Sequence, residues 1–429
     1  MPELPSYPKS IFGERLTEHA GITQLMDDLG EALTLGKDRL IMMGGGNPAH
    51  IPEVEALWRE RIEEMNGADG SASEWDAVLG DYDQPAGSPA FRETLAAFLK
   101  RTYGWPVTAD HIAITAGGQT AFFFLLNRFA GRFADGSERR ILLPLVPEYI
   151  GYADQGVSDA SLFESRRPII EKVGEREFKY RVDFDALEVS ESHAAIAVSR
   201  PTNPSSNVLT DGEMERLRTI AREAGIPLII DNAYGLPFPG VIFDSAELFW
   251  DEGVILTMSL SKLGLPGTRT GIVVARPDLI TEMRSMTAIV GLANGNVGQA
   301  LARPLIESGE IVPLVDEVIR PFYRKRSEAA MKLVEQFLPS DIPWRVHRSE
   351  GAFFLWFWFE GLPISSQELY ERLRDAGLIA VPGDYFFFGL DTDDWDHARQ
   401  CLRISIGQPI EVLERGFQIL GSVIGEVYR

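Results

Sequence analysis

Cysteine is almost absent from this chain: of 429 residues, only Cys401 carries a thiol. No internal disulfide can form, so the fold must rest on buried apolar area rather than covalent cross-links. Such cysteine usage fits a reducing compartment, and the cytoplasm is the expected location. Histidine is also scarce. His19, His50, His111, His193, His347 and His397 are scattered without ligand spacing, so no metal centre is expected. Basic charge is in deficit, with 41 Lys and Arg against 63 Asp and Glu and a formal net charge of −22. Nucleic acid and anionic membranes are disfavoured as partners, because no basic excess exists to displace counterions. A local basic pocket for a small anion stays compatible with that balance. Long apolar runs are missing as well. Stretches such as Ala352 to Phe359 fall far short of a membrane span. The opening Met1-Pro2-Glu3-Leu4-Pro5-Ser6 lacks the basic and apolar segments of a secretion signal.

What is present is a large apolar complement, 45% of residues, enough for an extensive core. Length alone suggests about three domains, but two are expected here, as in many long α/β enzymes. The middle of the chain alternates strand and helix signals. His111 to Thr115, Arg140 to Pro144, Ala194 to Ser199, Ile226 to Asp231, Val254 to Met258 and Gly271 to Ala275 read as strands. Gln119 to Phe129 and Thr210 to Ala224 read as helices, the second with Thr210 as cap and Glu213 three residues on. This alternation predicts a mostly parallel sheet covered by helices. Residues 299–337 turn helical and charged, and Arg345 to Phe359 and Leu402 to Ile406 read as strands of a smaller α+β domain. The expected division is 46–305 for the large domain and 1–45 with 306–429 for the small one. Ala68 to Gly80 reads as a polar surface loop. No internal repeat or low-complexity linker is visible.

Chemistry concentrates in Ser259-Leu260-Ser261-Lys262-Leu263-Gly264-Leu265-Pro266-Gly267-Thr268-Arg269-Thr270-Gly271. A lysine stands between hydroxyls and an arginine, on a loop that follows a buried strand, where catalytic groups concentrate. Hydroxyls with an arginine suit a phosphate, and a nearby lysine suits a Schiff base. One cofactor, pyridoxal 5′-phosphate, meets both demands. A solvated lysine beside a surface arginine is the competing reading of that stretch alone.

Further candidates also follow strands, as sites at the carboxyl edge of an open α/β sheet do. Asp231 ends an apolar strand, where a carboxylate is costly unless paired; a protonated pyridine nitrogen would pair it, and a turn aspartate is the alternative. Asn203, in Arg200-Pro201-Thr202-Asn203-Pro204, could face a ring hydroxyl or simply build a turn. Tyr234 could serve the same ring oxygen or pack. Gly118 and Gln119 open a helix, whose N-terminal N–H groups suit phosphate. Tyr149 could lie flat on a ring. Arg403 could grip a carboxylate with two bonds. Cys401, in the same strand signal, reads as core.

The order of these pieces resembles the fold-type I pyridoxal-phosphate aminotransferases from about Gly21 to Gly407. The resemblance rests on Tyr82-Asp83-Gln84-Pro85-Ala86-Gly87, Gly117-Gly118-Gln119, Pro147-Glu148-Tyr149, Asn203-Pro204, Asp231-Asn232-Ala233-Tyr234, the lysine segment and Leu402-Arg403-Ile404-Ser405. It implies an α/β fold of that type. It implies that Lys262 carries the cofactor and acts as general acid and base, that Asp231 holds the ring-nitrogen proton, and that Asn203 and Tyr234 hold the ring oxygen. Tyr149 would stack on the ring. Gly118, Gln119, Ser259, Ser261 and Arg269 would bind the phosphate. Tyr82 would reach the phosphate of a neighbouring subunit, which implies a homodimer. Arg403, with Asn203, would bind the substrate carboxylate, and Gly45 would lie beside the substrate. The implied reaction moves an amino group between a small apolar amino acid and a 2-oxo acid, with valine and pyruvate the expected pair. A β-lyase or a broad-specificity or aromatic aminotransferase is the alternative on the same scaffold. A non-enzymatic regulator would need a basic DNA-binding segment, for which residues 1–45 leave too little room and lack a basic cluster. One departure stands out: Ser206 occupies a position where the family often has glycine, so Ser206 must take a glycine-like backbone shape or the loop must differ.

Overall fold

The computed structural model describes residues 7–17, 21–35, 40–66, 74–158 and 160–429. Its centre is an eight-stranded sheet in the order Ile112–Thr115, Gly271–Val274, Val254–Ser259, Leu228–Asp231, His193–Ser199, Glu138–Leu143 and Gly131–Arg132, with Phe163–Ser165 also pairing to Glu138–Leu143. Val254–Ser259, Leu228–Asp231, His193–Ser199 and Glu138–Leu143 run parallel. Gly271–Val274 lies antiparallel to both of its neighbours. His193–Ser199 and Val254–Ser259 are buried at every position, which explains their unbroken apolar runs: both sheet faces are covered. Gly118–Phe129 and Asp211–Glu223 are among the covering helices.

A second sheet of six strands carries the order Val381–Pro382, Cys401–Ser405, Phe354–Phe359, Trp344–His347, Glu177–Arg181 and Ile169–Val173. Its aromatic strand Phe354–Phe359 is fully buried. Helices Arg320–Phe337 and Ile410–Val427 pack together beside it. Gly421 permits that approach, since a Cβ there would overlap the Phe337 carbonyl oxygen. Ile41–Met42 pairs in parallel with Leu378–Ile379 and so ties the N-terminal part to this second body. Cys401 is buried, and burial pushes its thiol well above the usual range. No helix among the described residues is long and apolar enough to cross a membrane.

Two parts of the chain differ from expectation. Glu74–Gly80 is a helix, not a loop; residues 68–73 of that expected loop lie outside the described residues. Its acidic first turn suits a helix N-terminus, and Glu74 is held by Arg61 at 2.6 Å and Arg303 at 3.2 Å. Trp75 and Val78, three apart, pack on the core. Residues 169–181 form a hairpin, with Gly174 at φ +62° in its turn, and supply two strands to the second sheet. Their alternation is masked by charge, because Ile169–Val173 is an exposed edge strand.

The Asp211–Glu223 helix begins as its sequence predicts. Thr210 Oγ1 accepts from the Glu213 N–H at 3.2 Å, while Glu213 Oε2 accepts from the Thr210 N–H at 2.8 Å. Thr210→Ala should cost about 1 kcal/mol, read as a lower thermal midpoint, and Thr210→Ser should restore most of it. An unchanged midpoint in the alanine variant would show that packing alone fixes this helix.

Candidate active site

The carboxyl ends of the parallel strands meet along one edge of the central sheet. Register aligns them: Asp231 lies beside Ser199 on one side and Thr257 on the other, and Ser259 opposes Gly271, which in turn opposes Thr115. Each strand therefore delivers its next few residues to one place.

Asp231, half-buried, faces this edge. Tyr152 donates its hydroxyl to Oδ2, the Ala233 N–H reaches Oδ1 at 3.0 Å, and Thr257 Oγ1 lies 3.4 Å from Oδ1. Burial raises its carboxyl above the usual range, against those hydrogen bonds and the charge of Lys262. Glu148 lies behind it. The Ser199 N–H and hydroxyl donate to Glu148 at 2.8 and 2.6 Å, and burial pushes this carboxyl up to about 8.

Lys262 stands in the turn Ser261–Leu263 that follows Val254–Ser259. Trp58 Nε1 holds the Leu263 carbonyl at 3.2 Å, and Ser259 Oγ accepts from the Ser261 N–H at 3.1 Å, so the turn is fixed on both sides of the lysine. Its Nζ donates to the Gly46 carbonyl at 2.5 Å and sits 5.6 Å from the ring centres of Tyr234 and Phe353. Burial, then the charges of Arg403 and Arg269, lower its amine to about 8, and Asp231 opposes them. A half-buried lysine whose amine is lowered in this way is a recurring mark of a catalytic amine.

Arg403 comes from the second sheet, mid-strand in Cys401–Ser405. It is 1% exposed. Nη1 donates to Asn203 Oδ1 at 2.8 Å and Nη2 to the Gly44 carbonyl at 2.5 Å. Its guanidinium lies over Phe354 and Phe386, 4.6 and 5.3 Å from their centres, and Nε has no partner. Burial lowers its pKa to about 10, with Tyr234 and Tyr149 opposing. Gly45 thus lies between two carbonyls, one bound by Arg403 and one by Lys262.

At the far end of the same edge, Arg269 adopts the left-handed backbone at φ +48°. Its guanidinium fills the space that a Cβ on Gly117 would need, and Gly117 itself sits at φ +88°. Gly118 opens the helix with nothing within 4 Å of an added Cβ. The arrangement is an open cradle of N–H groups, the Ser259 and Ser261 hydroxyls and one arginine. Gln119, exposed, donates from Nε2 to the Gly151 carbonyl at 2.9 Å. Tyr149 is half-buried, its ring edge-on to Tyr152 at 5.2 Å.

The structure therefore brings together Lys262, Asp231, Tyr234, Tyr149, Asn203, Gly118, Ser259, Ser261, Arg269, Arg403 and Gly45, with Gln119 at the margin. Tyr82 stands apart, 85% exposed at the surface. Sequence reasoning passed over Tyr152, Glu148 and the Gly44 and Gly46 carbonyls. Tyr152 had one available signal, since it follows Tyr149 by three residues on the short turn Ile150–Tyr152. Ser206 takes φ +62°, the glycine-like shape its position requires. The donor set fits pyridoxal 5′-phosphate: an open anion cradle, a half-buried carboxylate without a basic side chain bonded to it, a half-buried amine and an aromatic ring share one edge. Among the described residues no cluster of three His, Cys, Asp or Glu could hold a metal.

A family model described as aminotransferase class I and II matches residues 78–420. Valine–pyruvate aminotransferase of Escherichia coli is 45% identical over 416 residues, 97% of each chain. A solved structure from Psychrobacter arcticum superposes with a TM-score of 0.95 at 45% identity, covering 99% of both chains. Valine–pyruvate aminotransferase of Salmonella typhimurium superposes at 0.86 with 44% identity, covering 95% of this chain and 99% of that one. Matched over most of its length and carrying a lysine-centred site at the sheet edge, the chain belongs to the class I and II aminotransferases.

Proposed function

We propose that this aminotransferase moves an amino group from valine to pyruvate, giving 2-oxoisovalerate and alanine. The near-full-length likeness to the Escherichia coli valine–pyruvate enzyme carries that substrate choice. Pyridoxal 5′-phosphate is the cofactor. When bound, it supplies an electron sink that lets the substrate α-carbon lose a proton.

The chain's own residues do the rest. Lys262 Nζ would anchor the cofactor and, once released, would take the proton from the substrate α-carbon and hand it on from Nζ; its lowered pKa leaves much of it neutral near pH 8. Asp231 holds the proton on the ring nitrogen, and Tyr152 aims its carboxylate. Tyr234 and Asn203 serve the ring oxygen. Tyr149 covers the ring and excludes water. Gly118, Gln119, Ser259, Ser261 and Arg269 hold the phosphate. Arg403 grips the substrate carboxylate, with Asn203 and Gly44 fixing its fork, and Gly45 lines the same space.

A homodimer with shared sites fits the surface. Tyr82, Leu79, Ile289, Val290 and Leu292 are exposed apolar side chains on two segments joined by Asn294 and Asn296, which donate to the carbonyls of Pro85 and Asp81 at 3.0 and 3.2 Å. Such a cluster suits a protein interface. The division into 46–305 and 1–45 with 306–429 draws support from the pairing of Ile41–Met42 with Leu378–Ile379, although the 169–181 hairpin crosses it. A cytoplasmic location fits the single cysteine.

Three outcomes are expected. First, attachment needs a neutral amine. Attachment of added cofactor to cofactor-free enzyme, fixed onto Lys262 by borohydride at successive times, should quicken about tenfold per pH unit up to about pH 8 and level above it. A rate still climbing at about pH 10, where an ordinary lysine titrates, would refute the lowered pKa, and Lys262→Ala should trap nothing. Second, Arg403→Lys loses the two-pronged grip. With each charge-assisted bond worth about 1.5–3 kcal/mol, KM should rise about tenfold or more for every amino donor. Valine should be a good donor to pyruvate and glutamate a poor one; glutamate as best donor with no turnover of valine would overturn the substrate choice. Third, sedimentation should show an active dimer, and a fully active monomer would rule out shared sites.

A further inference from the structure

Lys179 and Glu350 form an ion pair whose side chains are only 3% and 6% exposed. Neither belongs to the site above. Lys179 comes from the Glu177–Arg181 strand of the second sheet, and Glu350 from the turn before the Phe354–Phe359 strand. Both close on a single residue of the other body, Val208. Glu350 Oε2 accepts from the Val208 N–H at 2.9 Å, and Lys179 Nζ donates to the Val208 carbonyl at 3.1 Å. Lys179 also donates to Asn207 Oδ1 at 3.0 Å.

Asn207 and Val208 end the buried loop that begins after the His193–Ser199 strand and presents Asn203. The loop is closed on itself: the Thr202 N–H donates to the Asn207 carbonyl at 2.9 Å, and the Ser206 N–H to the Thr202 carbonyl at 2.8 Å. Ser206 adds a second tie to the second sheet, donating from Oγ to the Phe354 carbonyl at 2.7 Å. Phe354 is the ring beneath Arg403, and its strand pairs directly with the strand that carries Arg403. The loop holding Asn203 and the strand holding Arg403 are therefore referenced to one frame.

We propose that the buried Lys179–Glu350 pair, with Ser206, is a positioning device for carboxylate recognition: it fixes the loop that presses Asn203 against the Arg403 guanidinium. A buried ion pair adds little stability over an apolar pair of similar volume, whereas its directed bonds to both polar atoms of Val208 set the loop's position. The inference rests on Arg403 being the carboxylate-binding group.

The test uses the cofactor-loaded enzyme and 3-methylbutanoate, which keeps the valine carboxylate and side chain but has no amino group to react. Its dissociation constant is measured by the change in cofactor absorbance, and cofactor affinity is measured separately by fluorescence. The variants are Lys179→Met, the double variant Lys179→Met with Glu350→Leu, and Ser206→Gly, with Arg403→Lys as reference. The double variant leaves no unpaired buried charge. Ser206→Gly relieves the positive φ while removing the tie to Phe354. Misplacement of a binding group by about 1 Å costs up to about a hundredfold. The double variant and Ser206→Gly should therefore bind 3-methylbutanoate about tenfold or more weakly, while cofactor affinity changes by less than about threefold. Wild-type affinity for 3-methylbutanoate in both variants, or equal loosening of cofactor and carboxylate, would overturn the positioning role. If Arg403→Lys alone weakens binding, the clamp falls and the Arg403 reading stands. If Arg403→Lys has no effect, both fall.

Discussion

Burial of charge without a full set of countercharges is the constraint on which this molecule is built. Lys262 and Asp231, half-buried, and Arg403, fully buried, share one edge. An isolated charge in such a place is expensive, so each is met by groups that cost no further charge: the Gly46 carbonyl for Lys262, Asn203 and the Gly44 carbonyl for Arg403, and Tyr152, Thr257 and a backbone N–H for Asp231. Neutral partners lower the cost without cancelling it. What remains uncancelled is the capacity to bind charged molecules.

Two sheets share the task. The central sheet supplies the groups suited to a phosphorylated ring, because parallel strands end together and their register puts Ser199, Asp231 and Thr257 in one row. The second sheet supplies Arg403. The Gly44 to Gly46 stretch joins them, since its first and last carbonyls accept from Arg403 and Lys262, a cation of each body. Of the three, Gly44 is the one with no room for a side chain: a Cβ there would come within 2.8 Å of the Ala380 carbonyl oxygen.

Much of the site could be read from sequence because its residues break local patterns. Asp231 ends an apolar strand, Lys262 stands among hydroxyls and glycines, and Thr210 with Glu213 spells a reciprocal cap. Ser206 was legible as a residue in a glycine's place, and it holds that place through a hydrogen bond its sequence could not announce. The unread part is long-range. Tyr152 meets Asp231 across 79 positions and Lys179 meets Glu350 across 171. Neither contact leaves a periodic trace. The Ile169–Val173 strand of the hairpin and the Glu74–Gly80 helix were hidden for a different reason: both are largely exposed, so their polar residues dilute the apolar spacing that reveals an element.

The acidic balance of the whole chain and the cationic character of its site are compatible because burial makes electrostatics local. A net charge of −22 resides mainly on solvated side chains, where screening confines it to about 10 Å. At the site, buried Arg403 and exposed Arg269 both depress the amine of Lys262. Any anion that neutralises either arginine removes part of that depression and raises the proton affinity of Lys262. Anion binding and the protonation state of the lysine are therefore one coupled equilibrium, set by two cations of the Ser259 to Gly271 segment and one from the Cys401–Ser405 strand.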